Sequence, residues 1–132
     1  MKPVIASGKR KTAIARATAY DGKGRVKVNA IPIEFHEPRM ARDKIMEPIA
    51  IAGNLVKKID IDVNVSGGGV MGQADASRTA VAKAIIGYTG DADLKRKYLA
   101  YDRSLLVSDP RRKLPKKPLG RGARVKRQKS YR

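Results

Sequence analysis

The chain has no cysteine and no tryptophan, one histidine and one phenylalanine. Without cysteine there is no disulfide and no thiolate metal site, which is compatible with a reducing compartment. With His36 alone, neither a Cys–His nor a His–His pair exists on which acid–base or nucleophilic catalysis could be built. His36-Glu37 cannot start an H-E-x-x-H zinc motif either, because position 40 is Met40. No apolar run reaches membrane-spanning length, and the first eight residues, M-K-P-V-I-A-S-G, lack the apolar core of a signal peptide. The expectation is a soluble, intracellular protein that is not an enzyme and carries no cofactor or metal. The sharpest lack is of acid: residues 110–132 hold 11 Lys/Arg and neither Asp nor Glu.

What the chain does have is positive charge. It holds 30 basic and 12 acidic residues for a net +18, and residues 1–109 alone remain at +7. Self-repulsion at this charge opposes the compact state, and phosphate binding relieves it. Residues 1–109 fit one domain with a modest single core. In residues 110–132 no hydrophobic period runs, and three prolines and two glycines oppose helix and central strand. Such a segment cannot bury enough apolar surface to order itself, so it is expected to be an extended arm shaped by a polyanion. A solubilising or nuclear-targeting tail would explain the charge but not the Gly and Pro spacing.

Along the body, Val4 and Ile5 precede a turn begun by Ser7-Gly8, and residues 13–20 read as a Thr-containing strand. Asp21-Gly22-Lys23-Gly24 reads as a hairpin turn, with residues 25–29 as the returning strand. Residues 31–34 read as an edge piece because of Pro32. A helix is expected over residues 37–54, entered through Pro38, with Met40, Ile45 and Ile49 facing the core and Pro48 kinking or shortening it. Ile59, Ile61, Val63 and Val65 alternate with Asp60, Asp62, Asn64 and Ser66, the clearest strand. After Gly67-Gly68-Gly69 comes a small-residue helix over 72–87, whose alanines would let it lie close to a sheet. Asp91 is the expected N-cap of a last helix through Leu94, Tyr98 and Leu99. The order implies an α+β sandwich with helices on one face of a small sheet.

Gly67 to Gly72 satisfies G-x-G-x-x-G, but a dinucleotide fold needs further parallel strands, and only a short helix and a basic arm remain. As a Walker loop it has Gln73 and Ala74 where lysine and Ser/Thr are required. As the GXXG of a KH domain it follows a strand, whereas that loop joins two helices. Two readings stay open. The glycines expose N–H groups of Gly68, Gly69 and their neighbours to an RNA phosphate at a helix start, or they let strand and helix approach closely. Asp60 and Asp62 share a strand face as paired carboxylates would, or they form the solvent side of an amphipathic strand. Lys9, Arg10, Lys11 and Thr12, with Arg16 beyond them, concentrate cations at one turn. Few aromatics accompany them, so binding is expected through phosphates and RNA shape, not base stacking. A small nucleotide-binding enzyme and a DNA-compacting protein are the alternative readings.

Three ordered blocks carry a resemblance. S-G-K-R-K-T-A-I-A-R-A (7–17), the strand with Gly67-Gly68-Gly69 and G-Q-A-D-A-S-R-T-A-V-A-K-A (72–84), and the segment 109–132 are similar to the signatures of the universal small-subunit ribosomal protein S-nine family. The resemblance spans nearly the whole chain. It implies the ribosomal S5 second-domain-like two-layer α+β fold, with a left-handed β-α-β crossover and an extended basic tail. It also implies a structural role on the cytoplasmic ribosome, with small-subunit rRNA of the head region and neighbouring head proteins as partners and no membrane. By residue match, rRNA contacts fall to Lys9, Arg10, Lys11, Thr12 and Arg16, and to Gly68, Gly69, Gln73 and Arg78. In the tail they fall to Arg111, Arg112, Lys113, Lys116 and Lys117, then to Arg121, Arg124, Lys126 and Arg127. Lys129, Ser130, Tyr131 and Arg132 would reach the P-site tRNA. The ending Ser-Tyr-Arg follows the archaeal and eukaryotic branch, where the bacterial form has Ser-Lys-Arg, and Arg132 matches both.

Overall fold

The computed structural model describes residues 2–127 and 129–130. Strands β1 (Val4–Arg10), β2 (Ala13–Asp21), β3 (Val26–Val28), β4 (Ile31–Pro32) and β5 (Ile59–Ser66) form one sheet in the order β1-β2-β5-β3-β4. Helices α1 (Arg39–Ala52), α2 (Val70–Thr89) and α3 (Ala92–Tyr101) complete the domain. Alternation decides which sheet face is covered. Ala13, Ala15, Ala17 and Ala19 of β2 and Ile59, Ile61, Val63 and Val65 of β5 are buried, while Ile14 and Arg16 of β2 and Asn64 and Ser66 of β5 are exposed. Helix α2 lies directly on β1 and β2, and α1 packs against α2. The result is the expected mixed α+β arrangement with helices on one face.

The alanines of α2 have the expected use: Ala74, Ala76, Ala80, Ala82 and Ala84 are all buried. Helix α3 starts where Asp91 accepts hydrogen bonds from the N–H groups of Asp93 and Leu94, as a cap should. Tyr98 ties α3 to α1 by donating from its hydroxyl to Pro48 O at 2.7 Å, and burial raises its pKa. Pro48 sits inside α1 without ending it.

Several expectations are corrected. Ser7-Gly8 does not begin a turn: β1 continues through it to Arg10. Gly8 is needed because a Cβ there would run into Ala76 O and lie 2.7 Å from Ala80 N on α2. The segment after Asp21 does not fold back on β2. Strand β5 lies between them, antiparallel to β2 and parallel to β3, so β3-α1-β5 is a β-α-β connection. The loop instead wraps Asp60, whose Oδ1 accepts from Lys23 N at 2.8 Å and Arg25 N at 2.9 Å. Those N–H groups, that of Arg25 foremost, hold the Asp60 carboxyl below its usual range. Met40 is 73 % exposed, so it does not belong to the core.

Residues 110–127 contain neither helix nor strand, and their cations are exposed. The arm is not extended throughout, however. Around Pro118-Leu119-Gly120 it doubles back, so that a Cβ on Gly120 would lie 2.8 Å from Val125 O. Turn-forming Pro and Gly produce this reversal without any apolar core.

Candidate nucleic-acid interface

One end of the domain gathers three segments that are distant in sequence. The β1–β2 pairing runs to Arg10↔Ala13, leaving Lys11-Thr12 as a two-residue tip with Lys11 in the left-handed region at φ 53°. The triple glycine packs against that tip. A Cβ on Gly67 would lie 2.5 Å from Thr12 O, and one on Gly68 3.1 Å from the Ala13 Cβ, and both residues have positive φ. These two glycines therefore serve close approach. Gly69 differs: it caps α2 with extended backbone and has open space around its Cβ position, so the first N–H groups of α2 are reachable. Gln73 faces the loop and donates from Nε2 to Gly67 O at 3.1 Å.

The start of the arm is the third segment. Arg111, Arg112 and Lys113 meet Arg10 and Lys11 to line a shallow open hollow with no acid in its lining. Asp109 makes the join. Its Oδ2 lies 2.8 Å from Arg10 Nη1 and 2.7 Å from Arg111 Nη2. The Arg111 hydrogen bonds are the main reason its carboxyl is held down at about 2, with Arg10 adding to them.

Beside the hollow runs a network of alternating charge. Lys44 Nζ pairs with Asp75 Oδ1 at 2.8 Å, and Asp75 approaches Arg10 Nε at 3.9 Å. Arg78 Nη2 lies 2.6 Å from Glu47 Oε2 and 3.2 Å from Asp102 Oδ2, and Nη1 donates to Ser104 Oγ at 3.1 Å. The Arg10–Asp109 and Arg78–Glu47 contacts are charge pairs off the hydrogen-bond axis. Asp102 is itself held below its ordinary carboxyl range, chiefly by the Ser104 N–H.

The geometry thus sorts the cations expected to contact RNA. Arg10, Lys11, Arg111, Arg112 and Lys113 converge, with Thr12, Gly68 and Gly69 alongside. Lys9 and Arg16 stand on the open face of the sheet, where Lys9 is opposite Ile14 and Arg16 opposite Ser7. Arg78 is 12 % exposed at its side chain and is held through its Nη atoms by Glu47, Asp102 and Ser104, while its buried Nε has no hydrogen-bond partner. Lys116, Arg121, Lys126 and Arg127 surround the reversal in the arm with Leu119 and Val125, while Lys117, Arg124, Lys129 and Ser130 are exposed. Tyr131 and Arg132 lie outside the described residues. Sequence pattern alone leaves the partners Asp75, Glu47 and Asp109 unmarked. Asp-Pro-Arg at 109–111 is the one local signal that could have drawn notice, since an Asp two residues before an N–H donor commonly closes a turn.

Asp60 accepts from the loop N–H groups and Asp62 from the Tyr20 hydroxyl at 3.1 Å, and no His/Cys/Asp/Glu cluster suited to a metal occurs among the described residues. Fold and site together define the class: a small, strongly basic α+β protein whose cations gather at one tip and along an arm. The chain matches the family model described as ribosomal protein S9/S16 over residues 8–132. It is 59 % identical to the small ribosomal subunit protein uS9 of Methanothrix thermoacetophila over the full length of both chains. The uS9 of Picrophilus torridus is 60 % identical over 129 residues, covering 98 % of this chain and 97 % of that one, and that of Methanococcus maripaludis 54 % over 134 residues, covering the whole of both. The chain belongs to the ribosomal protein S9/S16 family, whose members are structural and not enzymes.

Proposed function

We propose that this chain, a structural constituent of the small ribosomal subunit, docks its basic tip on rRNA of the subunit head and sends its arm toward the P-site tRNA. The observation that carries the reading is the hollow between hairpin tip and arm root, where five Lys/Arg meet and, with Arg10 and Arg111 paired to Asp109, the exposed Lys11, Arg112 and Lys113 face outward. A cluster of that kind in a +18 chain is a site for phosphodiesters, since guanidinium forks match paired phosphate oxygens. Lys9 and Arg16 extend the footprint onto the open sheet face, and Gly69 admits a phosphate near the first turn of α2. The β3-α1-β5 connection is proposed to be left-handed, as in the ribosomal S5 second-domain-like fold. Residues 1–109 act as the docking body and 110–132 as the arm. Neighbouring head proteins complete the set of partners, and the setting is the cytoplasmic ribosome.

The arm's final residues supply the test. Deleting residues 129–132 is expected to leave assembly into subunits intact, read by co-sedimentation after a high-salt wash, and to speed loss of tRNA from the P site. Failure of the truncated chain to assemble would make these residues scaffold and not a tRNA contact. Release of the full chain by the wash would speak for a loosely bound polyanion-compacting protein instead.

A further inference from the structure

Asp109 is an acid on the rim of a phosphate-binding hollow, where charge counting says no acid should be. Its carboxylate grips both walls. Arg10 Nη1 on the hairpin lies 2.8 Å from Oδ2, and Arg111 Nε on the arm donates to the two oxygens at 3.1 and 2.9 Å. Arg111 N also donates to Oδ1 at 2.9 Å across Pro110, closing a tight turn at the arm's first step. The Asp109 and Arg10 side chains are 21 % and 19 % exposed, while Arg111 is 77 % exposed. The clamp is therefore seated on the body side and open on the RNA side. It is not part of the core, because the last buried apolar residue before it is Leu105.

We propose that Asp109 is a positioning residue for RNA binding. It touches no RNA itself and holds the arm root against the hairpin tip so that Lys11, Arg112 and Lys113 converge on one phosphate. This rests on the rRNA-binding reading above. A lone carboxylate beside a polyanion is repulsive, so removing it should strengthen binding if charge count were all that mattered. Against that stands the cost of ordering a free arm on binding, which a clamped root has already met. The clamp also raises the effective concentration of arm cations at the tip. The clamp lies outside the hydrophobic core, so its worth for binding lies in the direction it gives the chain.

The test is Asp109→Asn in the full-length protein, with the urea midpoint checked against wild type. The probes are a full-length small-subunit rRNA transcript and, as a structureless polyanion, immobilised heparin. The expected result is an rRNA affinity about 5- to 10-fold lower with a shallower salt dependence, unchanged or later elution from heparin, and recovery with Asp109→Glu. Equal or tighter rRNA binding by Asp109→Asn would overturn the inference while leaving the RNA reading intact. A loss of the same size on heparin would mark general damage and overturn it too. Absence of salt-sensitive rRNA binding by the wild type would instead sink the RNA reading. An independent check needs no RNA. Because the chain lacks cysteine, spin labels at Thr12→Cys and Leu114→Cys report the tip-to-arm distance cleanly. A narrow distribution in the parent, broadened by Asp109→Asn or by Arg111→Gln, is expected, and an unchanged narrow one in both overturns the clamp.

Discussion

Single residues in this protein divide by what surrounds them more than by their type. Gly8, Gly67 and Gly69 look equivalent in the sequence. Gly8 is pressed against the α2 backbone, Gly67 against Thr12 O, and Gly69 against nothing within 4 Å. Gly8→Ala is therefore expected to destabilise the domain by about 2 kcal/mol or more, since backbone must shift to admit the methyl. Gly69→Ala is expected to stay within about 0.5 kcal/mol of wild type, because its φ of −95° suits any residue. Urea midpoints at constant m-value read both, and a neutral Gly8→Ala would contradict the close strand–helix packing. The cations divide in the same way. Arg78 and Lys11 are alike in charge, yet one is locked among Glu47, Asp102 and Ser104 and the other stands at an exposed tip. That difference is invisible in the sequence, because the partners of Arg78 lie 31 positions before it and 24 or more after it, and no local pattern links them.

At the scale of elements, what was legible is what local physics decides. The alternation of residues 59–66 specifies β5, the alanine run specifies a helix that can sit close on a sheet, and Asp91 announces its own cap. What was not legible is pairing. A Gly-rich turn after β2 reads as a hairpin, but β5 arrives later in the chain and takes the place beside β2. Asp60 on β5 then fixes the loop by accepting two of its N–H groups. Such carboxylates make the fold acid-sensitive. Asp60, Asp102 and Asp109 all have folded-state pKa values below their ordinary 3.8, so the unfolded chain binds more protons between the two values. Their stabilisation is full above about pH 5 and is lost as pH falls through the folded values, reaching about 2 for Asp109. Thermal midpoints should thus drop steeply below about pH 4, and Asp60→Asn should flatten part of that drop. An Asp60→Asn profile as steep as wild type would show that the loop clamp contributes nothing.

The whole molecule is a division of charge. The four acids Glu47, Asp75, Asp102 and Asp109 are committed to internal pairs with Lys44, Arg10, Arg78 and Arg111, while the cations from Arg112 to Arg127 point into solvent. Composition foretold the outcome, since 11 Lys/Arg without an acid in 23 residues leaves nothing in the arm to neutralise them. It could not foretell that the arm root would be tied to the hairpin tip, nor that Pro118 to Gly122 would reverse its course. The central claim is that these free cations exist to meet RNA phosphates, and the salt dependence of binding measures it directly. With about half the arm's cations on phosphates, log K for small-subunit rRNA plotted against log salt should fall with a slope of about −4 or steeper. A slope near zero across the same range would contradict the account.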